Sequence, residues 1–113
     1  MEIIKENQRI TLQPLSHVTI HEYETHDREI SSGVAVIKGR YPEQGFVINQ
    51  KCKELVYVLE GSGTLITTDK ETAFTKGDVL FIENKEKFAW NGNMVLFMAT
   101  TPTFDPAQHV EAA

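Results

Sequence analysis

The stretch Glu54-Leu55-Val56-Tyr57-Val58-Leu59-Glu60-Gly61-Ser62-Gly63 decides the fold of this chain. Its first seven residues contain no Gly or Pro and are rich in β-formers, which predicts a strand over Glu54–Glu60. Side chains two apart share a face, so Glu54, Val56 and Val58 point one way and Leu55, Tyr57 and Leu59 the other. Gly61-Ser62-Gly63 can supply the positive φ of a tight hairpin. Outward from this stretch the same punctuation recurs. Strands are predicted near Arg9–Leu12, Val18–Glu24, Gly33–Gly39, Gly45–Gln50, Gly63–Thr68, Glu71–Thr75, Asp78–Ile82, Phe88–Trp90 and Met94–Thr100. Thr68-Asp69-Lys70, Lys76-Gly77-Asp78 and Asn91-Gly92-Asn93 are predicted turns. The one helix candidate is the tail, where Asp105 can cap a helix that starts at Pro106 and takes in Ala107–Ala113. So many short antiparallel strands predict an all-β sandwich or barrel, and the pattern alone does not choose between them.

The chain has 113 residues, a net charge of -5 and a hydrophobic content of 41%. This length predicts one domain, residues 1–113, able to bury a core without disulfides. A single cysteine cannot form an internal disulfide, and no signal peptide or membrane-length apolar run is present, so a cytoplasmic protein with no membrane partner is expected. The acidic balance argues against nucleic-acid binding. The charges are uneven. No Lys or Arg occurs from Ile10 to Asp27 or after Lys87, which reads either as an acidic functional face or as ordinary solvated surface.

The opening stretch resembles the first signature of the cupin superfamily, Gly-x5-His-x-His-x3-4-Glu-x6-Gly, with Glu54 followed by six residues and Gly61. Gly77-Asp78-Val79-Leu80-Phe81-Ile82 resembles the opening of the second, Gly-x5-Pro-x-Gly-x2-His-x3-Asn. Fifteen residues separate Gly61 from Gly77, as in small single-domain cupins. The likeness spans about Gly33 to Thr100. It implies a jelly-roll β-barrel core at about 33–100, flanked by N-terminal strands at 9–24 and a tail at 101–113, commonly paired as a homodimer. The segment Arg9–Glu24 is the expected crossing element.

In cupins two histidines, the glutamate and the second-motif histidine hold a divalent metal. Here three intervening residues before Glu54 place Ile48 and Gln50 at the histidine positions, and four place Val47 and Asn49 there. Phe88 stands at the second-motif histidine, Glu83 at the proline and Lys85 at the glycine. One carboxylate and one amide do not make a transition-metal site, so no metal and no other cofactor is expected. Strand parity predicts that Ile48, Gln50, Glu54 and Val56 line the barrel opposite Phe88 and Trp90. Such an apolar, aromatic pocket with two polar groups suits a small polar or aromatic ligand. The competing expectation is that these side chains fill the barrel as core.

Glu54 is the candidate catalytic residue, because a buried carboxyl without metal has a raised pKa and can act as acid or base. Its alternative role is structural, hydrogen-bonded to Gln50, Tyr57 or backbone. His17, His21 and His26 lie close in sequence, but on a strand His17 and His21 are about 13 Å apart and cannot share an ion. His109 could fold over a barrel mouth, but a place in solvent is favoured. Cys52 lies between Lys51 and Lys53, which can activate a thiol, yet no histidine adjoins it. Three functions follow: a metal-free small-molecule binder; a metal-independent isomerase, epimerase or lyase using Glu54; or a structural domain with a filled barrel. The binder is favoured, because a lone carboxylate without a partner base is a thin catalytic apparatus; the metal-free sugar epimerases of the family use a histidine base, and none lines the predicted pocket.

Overall fold

A computed structural model describes residues 1–113. Nine strands form: β1 (Ile10–Leu15), β2 (Val18–Tyr23), β3 (Ser31–Tyr41), β4 (Phe46–Asn49), β5 (Lys53–Ile66), β6 (Glu71–Thr75), β7 (Val79–Ile82), β8 (Lys87–Thr101) and β9 (His109–Ala112). Every pairing is antiparallel. β8 is the hub. It pairs with β3 along Trp90–Thr100, with β5 along Ala89–Thr101, and with β4 at Lys87 and Phe88. The sheet curls into an all-β barrel around Val18, Ala35, Ile37, Val47, Val56, Val58, Phe74, Ile82, Phe88, Trp90, Met94 and Leu96. No helix is long and apolar enough to cross a membrane.

Two predicted turns are instead interior to long strands. β5 runs through Gly61-Ser62-Gly63 with a bulge between Val58 and Glu60, and β8 runs through Asn91-Gly92-Asn93. The glycines are there for close approach. Gly39, Gly92 and Gly63 stand in line across β3, β8 and β5. A Cβ on Gly92 would meet Ser62 O and Gly63 Cα, and one on Gly61 would meet Asn93 O. Gly61 and Gly92 also have positive φ, 83° and 145°. The dipeptides that usually mark hairpins here bend long strands. The turns at Thr68-Asp69-Lys70 and Lys76-Gly77-Asp78 form as expected, between β5 and β6 and between β6 and β7.

The tail corrects the helix expectation. Asp105 does cap, its carboxylate accepting from Ala107 N, and Pro106 does open the turn. The turn ends after one 3-10 repeat, Pro106–Gln108, and His109–Ala112 becomes β9 beside β4. The exposed carbonyls and amides of β4 offer the tail a ladder that an isolated short helix lacks. Within the chain, the segment Arg9–Glu24 pairs β1 on β2 and β2 on β3.

Candidate functional site

The barrel encloses an open cavity of about 690 Å³. β1 and β2 form one side, β3 the back, and Glu54, β8 and the tail the floor and far wall. Inward positions on β2 are Val18, Ile20 and Glu22, and on β3 Gly33, Ala35 and Ile37, as the two-residue period requires. A void of this size leaves room for a small molecule, so the side chains do not plug the barrel.

A chain of buried polar groups runs behind the cavity wall and reaches it at Glu54, His109 and Tyr41. Asn49 Nδ2 donates to Glu54 Oε1 at 2.7 Å, and Gln108 Nε2 donates to Asn49 Oδ1 at 3.1 Å. His109 Nδ1 lies 2.8 Å from Asn49 Oδ1, and Tyr41 Oη 2.8 Å from His109 Nε2. The proton directions follow from this geometry. Asn49 spends its amide nitrogen on Glu54, so its oxygen accepts from both Gln108 and His109. Neutral His109 must then carry its proton on Nδ1, and the Tyr41 hydroxyl donates to the bare Nε2. Tyr41 and Glu54 are thus the two ends of one relay, and both line the cavity.

Glu54 is 5% exposed and Asn49 1%. Glu54 Oε2 is buried and has no hydrogen-bond partner in the chain. Burial raises the Glu54 pKa, opposed by the hydrogen bond from Asn49. Burial also lowers that of His109, against the pull of Glu111, so both groups are biased toward their neutral forms. The Tyr41 hydroxyl is pushed up to about 12, first by burial and then by Glu111 and Glu54. Glu22, on the cavity wall, is raised by burial and by neighbouring Glu24.

The structure brings together part of the predicted set. Glu54, Phe88 and Trp90 line the cavity. Trp90 is only 2% exposed, held edge-on by Phe74 and Phe88, so it is a wall rather than a free stacking platform. Ile48 and Gln50 do not line the cavity, because Val47 and Asn49 are the inward residues of β4. Parity cannot be carried back from Glu54, since the non-strand residues Gln50, Lys51 and Cys52 separate β4 from β5. Val56 is inward but fully buried in the core and does not reach the cavity. His109, for which a solvated place was the favoured expectation, is instead half-buried in the relay, so a histidine does line the pocket.

Gln108 explains how the tail and the β4–β5 loop meet. Its Oε1 accepts from Lys51 N and Cys52 N, both at 3.1 Å, while its carbonyl accepts from Gln50 N at 2.9 Å. The three N-terminal histidines do not assemble. His17 contacts Arg40 O, His21 contacts Thr11 Oγ1, and His26 contacts Glu2. Cys52 is buried, its Sγ donating to Pro102 O at 3.2 Å. Burial and nearby Glu54 raise its pKa, outweighing Lys51, so the flanking lysines do not activate the thiol.

No family model matches the sequence. A 39-residue stretch is 38% identical to a 1-hydroxy-2-naphthoate 1,2-dioxygenase of Nocardioides sp. (strain KP7), and it covers 34% of this chain and 10% of that protein. The chain therefore matches about a tenth of the length of that curated relative. An RmlC-like cupin from Shewanella frigidimarina superposes with a TM-score of 0.71 at 16% identity, over 89% of this chain and 90% of that one. The fold is the jelly-roll barrel of the cupins. Within that fold, Streptomyces Pac13 crystallised with uridine superposes at 0.88 with 11% identity, over 100% of this chain and 92% of its own. Pac13 is described as a nucleoside dehydratase. The polyketide cyclase RemF from Streptomyces resistomycificus superposes at 0.75 with 14% identity, over 100% and 86%.

Of the two motif registers, the four-residue spacing puts the buried β4 residues Val47 and Asn49 with Glu54 and Phe88 at the positions that the resemblance to the cupin signatures assigns to metal. Val47 and Phe88 have no donor atom, and the Asn49 amide is committed to Glu54, Gln108 and His109. No three His, Cys, Asp or Glu side chains gather where they could hold one ion. This donor set does not fit a divalent metal.

Proposed function

We propose that this cupin barrel binds a small ring-bearing polar molecule without a metal, with Glu54 and Tyr41 as its polar contacts. The observation that carries the reading is the open cavity backed by the Glu54–Asn49–His109–Tyr41 relay. A largely apolar wall with a few convergent polar groups is what small-ligand sites share. The crystallisation of Pac13 with uridine supports such a use of the fold. Trp90 is the only tryptophan and lines the cavity, so its fluorescence reports occupancy. A screen of uncharged ring compounds should find ligands that shift it. Glu54→Gln should keep the fold and weaken a ligand that hydrogen-bonds the carboxyl by roughly 1.5–3 kcal/mol. Protein purified without a nickel column should carry well under one equivalent of metal. Stoichiometric Mn, Fe, Ni, Cu or Zn, lost on Glu54→Ala, would overturn the metal-free reading.

A second reading, a metal-independent isomerase, epimerase or lyase, gains from one observation. Glu54 and Tyr41 both face the cavity and are tied together through Asn49 and His109, so two proton-bearing groups are held on one cavity wall. Two such groups within reach of one molecule are the minimum for proton transfer to and from it. Under this reading Glu54→Gln or Tyr41→Phe abolishes turnover while binding survives.

We also propose that the chain forms a homodimer, through the outer face of β5, β7 and β8. Leu55, Tyr57, Leu59, Val79, Phe81 and Phe97 are all exposed there. Strand register makes them one patch: Leu55 lies opposite Phe81, and Tyr57 lies opposite both Val79 and Phe97. Their exposed area comes to several hundred Å², close to the roughly 800 Å² per partner of a stable interface. The ion pairs Lys53–Glu83 and Lys76–Glu60 lie on the same strands and their connecting loops, a polar rim of the usual kind. Sedimentation at tens of micromolar should give twice the 12.8 kDa chain mass, and Phe81→Lys should return it to one. A monomer mass for the unmodified chain would overturn the assignment.

A further inference from the structure

The cavity wall contains three carboxyl groups and no lysine or arginine. Glu22, Glu24 and Glu54 line it, and His109 is its one other titratable nitrogen base. Both ring nitrogens of His109 are occupied, by Asn49 and Tyr41. The uneven charge of the sequence now has a place. The stretch from Ile10 to Asp27, which has no Lys or Arg, builds β1 and β2 on one side of the cavity. The stretch after Lys87, equally free of cations, builds β8 and the tail on the other. β3 carries Lys38 and Arg40, yet neither lines the cavity. Arg9 is the one cationic side chain hydrogen-bonded to a wall residue, at 3.4 Å from Tyr23 Oη, and it also faces Glu6 at 3.8 Å. A wall without a fixed cation offers an anionic group nothing to replace its hydration. Glu54 adds an independent sign of a missing ligand group, since its buried Oε2 has no partner within the chain.

We propose that the barrel admits uncharged or cationic ring compounds and turns away phosphorylated or carboxylated ones. This rests on the reading of the cavity as a ligand site. Glu22 and Glu24, on β2 and just after it, act as the filter, and Glu54 waits beneath them for a hydrogen-bonding or cationic group. Carboxylic acids of aromatic compounds, hydroxy acids and sugar phosphates are excluded as ligands, and their neutral or amine counterparts are not.

Matched ring compounds test this on the full chain, with binding read by calorimetry and ligand-observed NMR at fixed ionic strength. The probes are benzamide and benzylamine beside benzoate, and uridine beside uridine monophosphate. At least one neutral or amine probe should bind, at least tenfold tighter than its anionic counterpart. Combining Glu22→Gln with Glu24→Gln should narrow that ratio to within threefold. An unchanged affinity for the neutral probe in that variant shows that the cavity is intact. Equal binding of a neutral probe and its anionic counterpart to the unmodified protein would overturn the filter and leave the ligand site standing. Binding of none of the probes would overturn the ligand site, a distinguishable result. An unchanged ratio in the double variant would overturn the role of Glu22 and Glu24.

Discussion

Glu54 and Asn49 touch, yet they belong to regions built by different rules. Glu54 is the second residue of β5, whose inward residues Val56 and Val58 join Leu96 of β8 in a dry, alternating core. Asn49 ends β4 and meets a tail whose place is set by hydrogen bonds, chiefly those of Gln108 to Lys51, Cys52 and Asn49. The first region is held by apolar area and tolerates polar change poorly. The second is held by a few directional contacts, each of which aims another. The comparison teaches that the core strands make the container, while the side chain–backbone bonds of the tail place its chemistry.

The two regions should respond differently to substitution. Leu96→Ala, in the first, should cost about 2–5 kcal/mol of stability in a urea titration, since a fully buried leucine leaves a cavity behind. Gln108→Ala, in the second, should cost less, about 1–3 kcal/mol, because it orphans Lys51 N, Cys52 N and one bond to Asn49. It should nevertheless disturb the His109 position more than Leu96→Ala does, measured as the imidazole nitrogen shifts in NMR. Equal shifts in both variants would erase the distinction between container and site.

Glu54 sharpens the boundary through pH. Burial raises its pKa above the ordinary value of 4.5. Its favourable contribution is therefore complete below that ordinary value and is lost as pH rises through the higher folded value. Glu54→Gln removes the titration, so the variant should gain on the parent as pH rises from the ordinary value of 4.5 through the higher folded value. A parent that gains on the variant as pH rises would mean that the carboxyl is stabilised as its anion. The smallest effect concerns Cys52. With its thiol buried and its pKa raised, it should react with a disulfide reagent far more slowly in the folded protein than in urea.

The barrel was legible because strand alternation and the Glu54–Gly61 spacing are both present in this chain. Two kinds of position were not. Glycines at 61, 63 and 92 carry hairpin chemistry but are used for close crossing of β5 and β8, a contact between residues far apart in sequence. The relay residues Asn49, His109 and Tyr41 come from three strands, β4, β9 and β3, and no local period links them. Asn49 had one available signal, the four-residue spacing before Glu54, which parity from Glu54 overrode. That parity fails because Gln50, Lys51 and Cys52 leave the strand. Glu22 was visible as part of a cation-free run, and only the fold turns that run toward the cavity.

The most direct test is a crystal structure of the protein purified from its own cells without exposure to added metal. The account predicts density for a small organic molecule in the barrel, within hydrogen-bond distance of Glu54 Oε2 or Tyr41 Oη, with His109 between Asn49 and Tyr41. A metal ion on Glu54, or Tyr41 and Phe104 folded inward so that no void larger than a water or two remains, would contradict it.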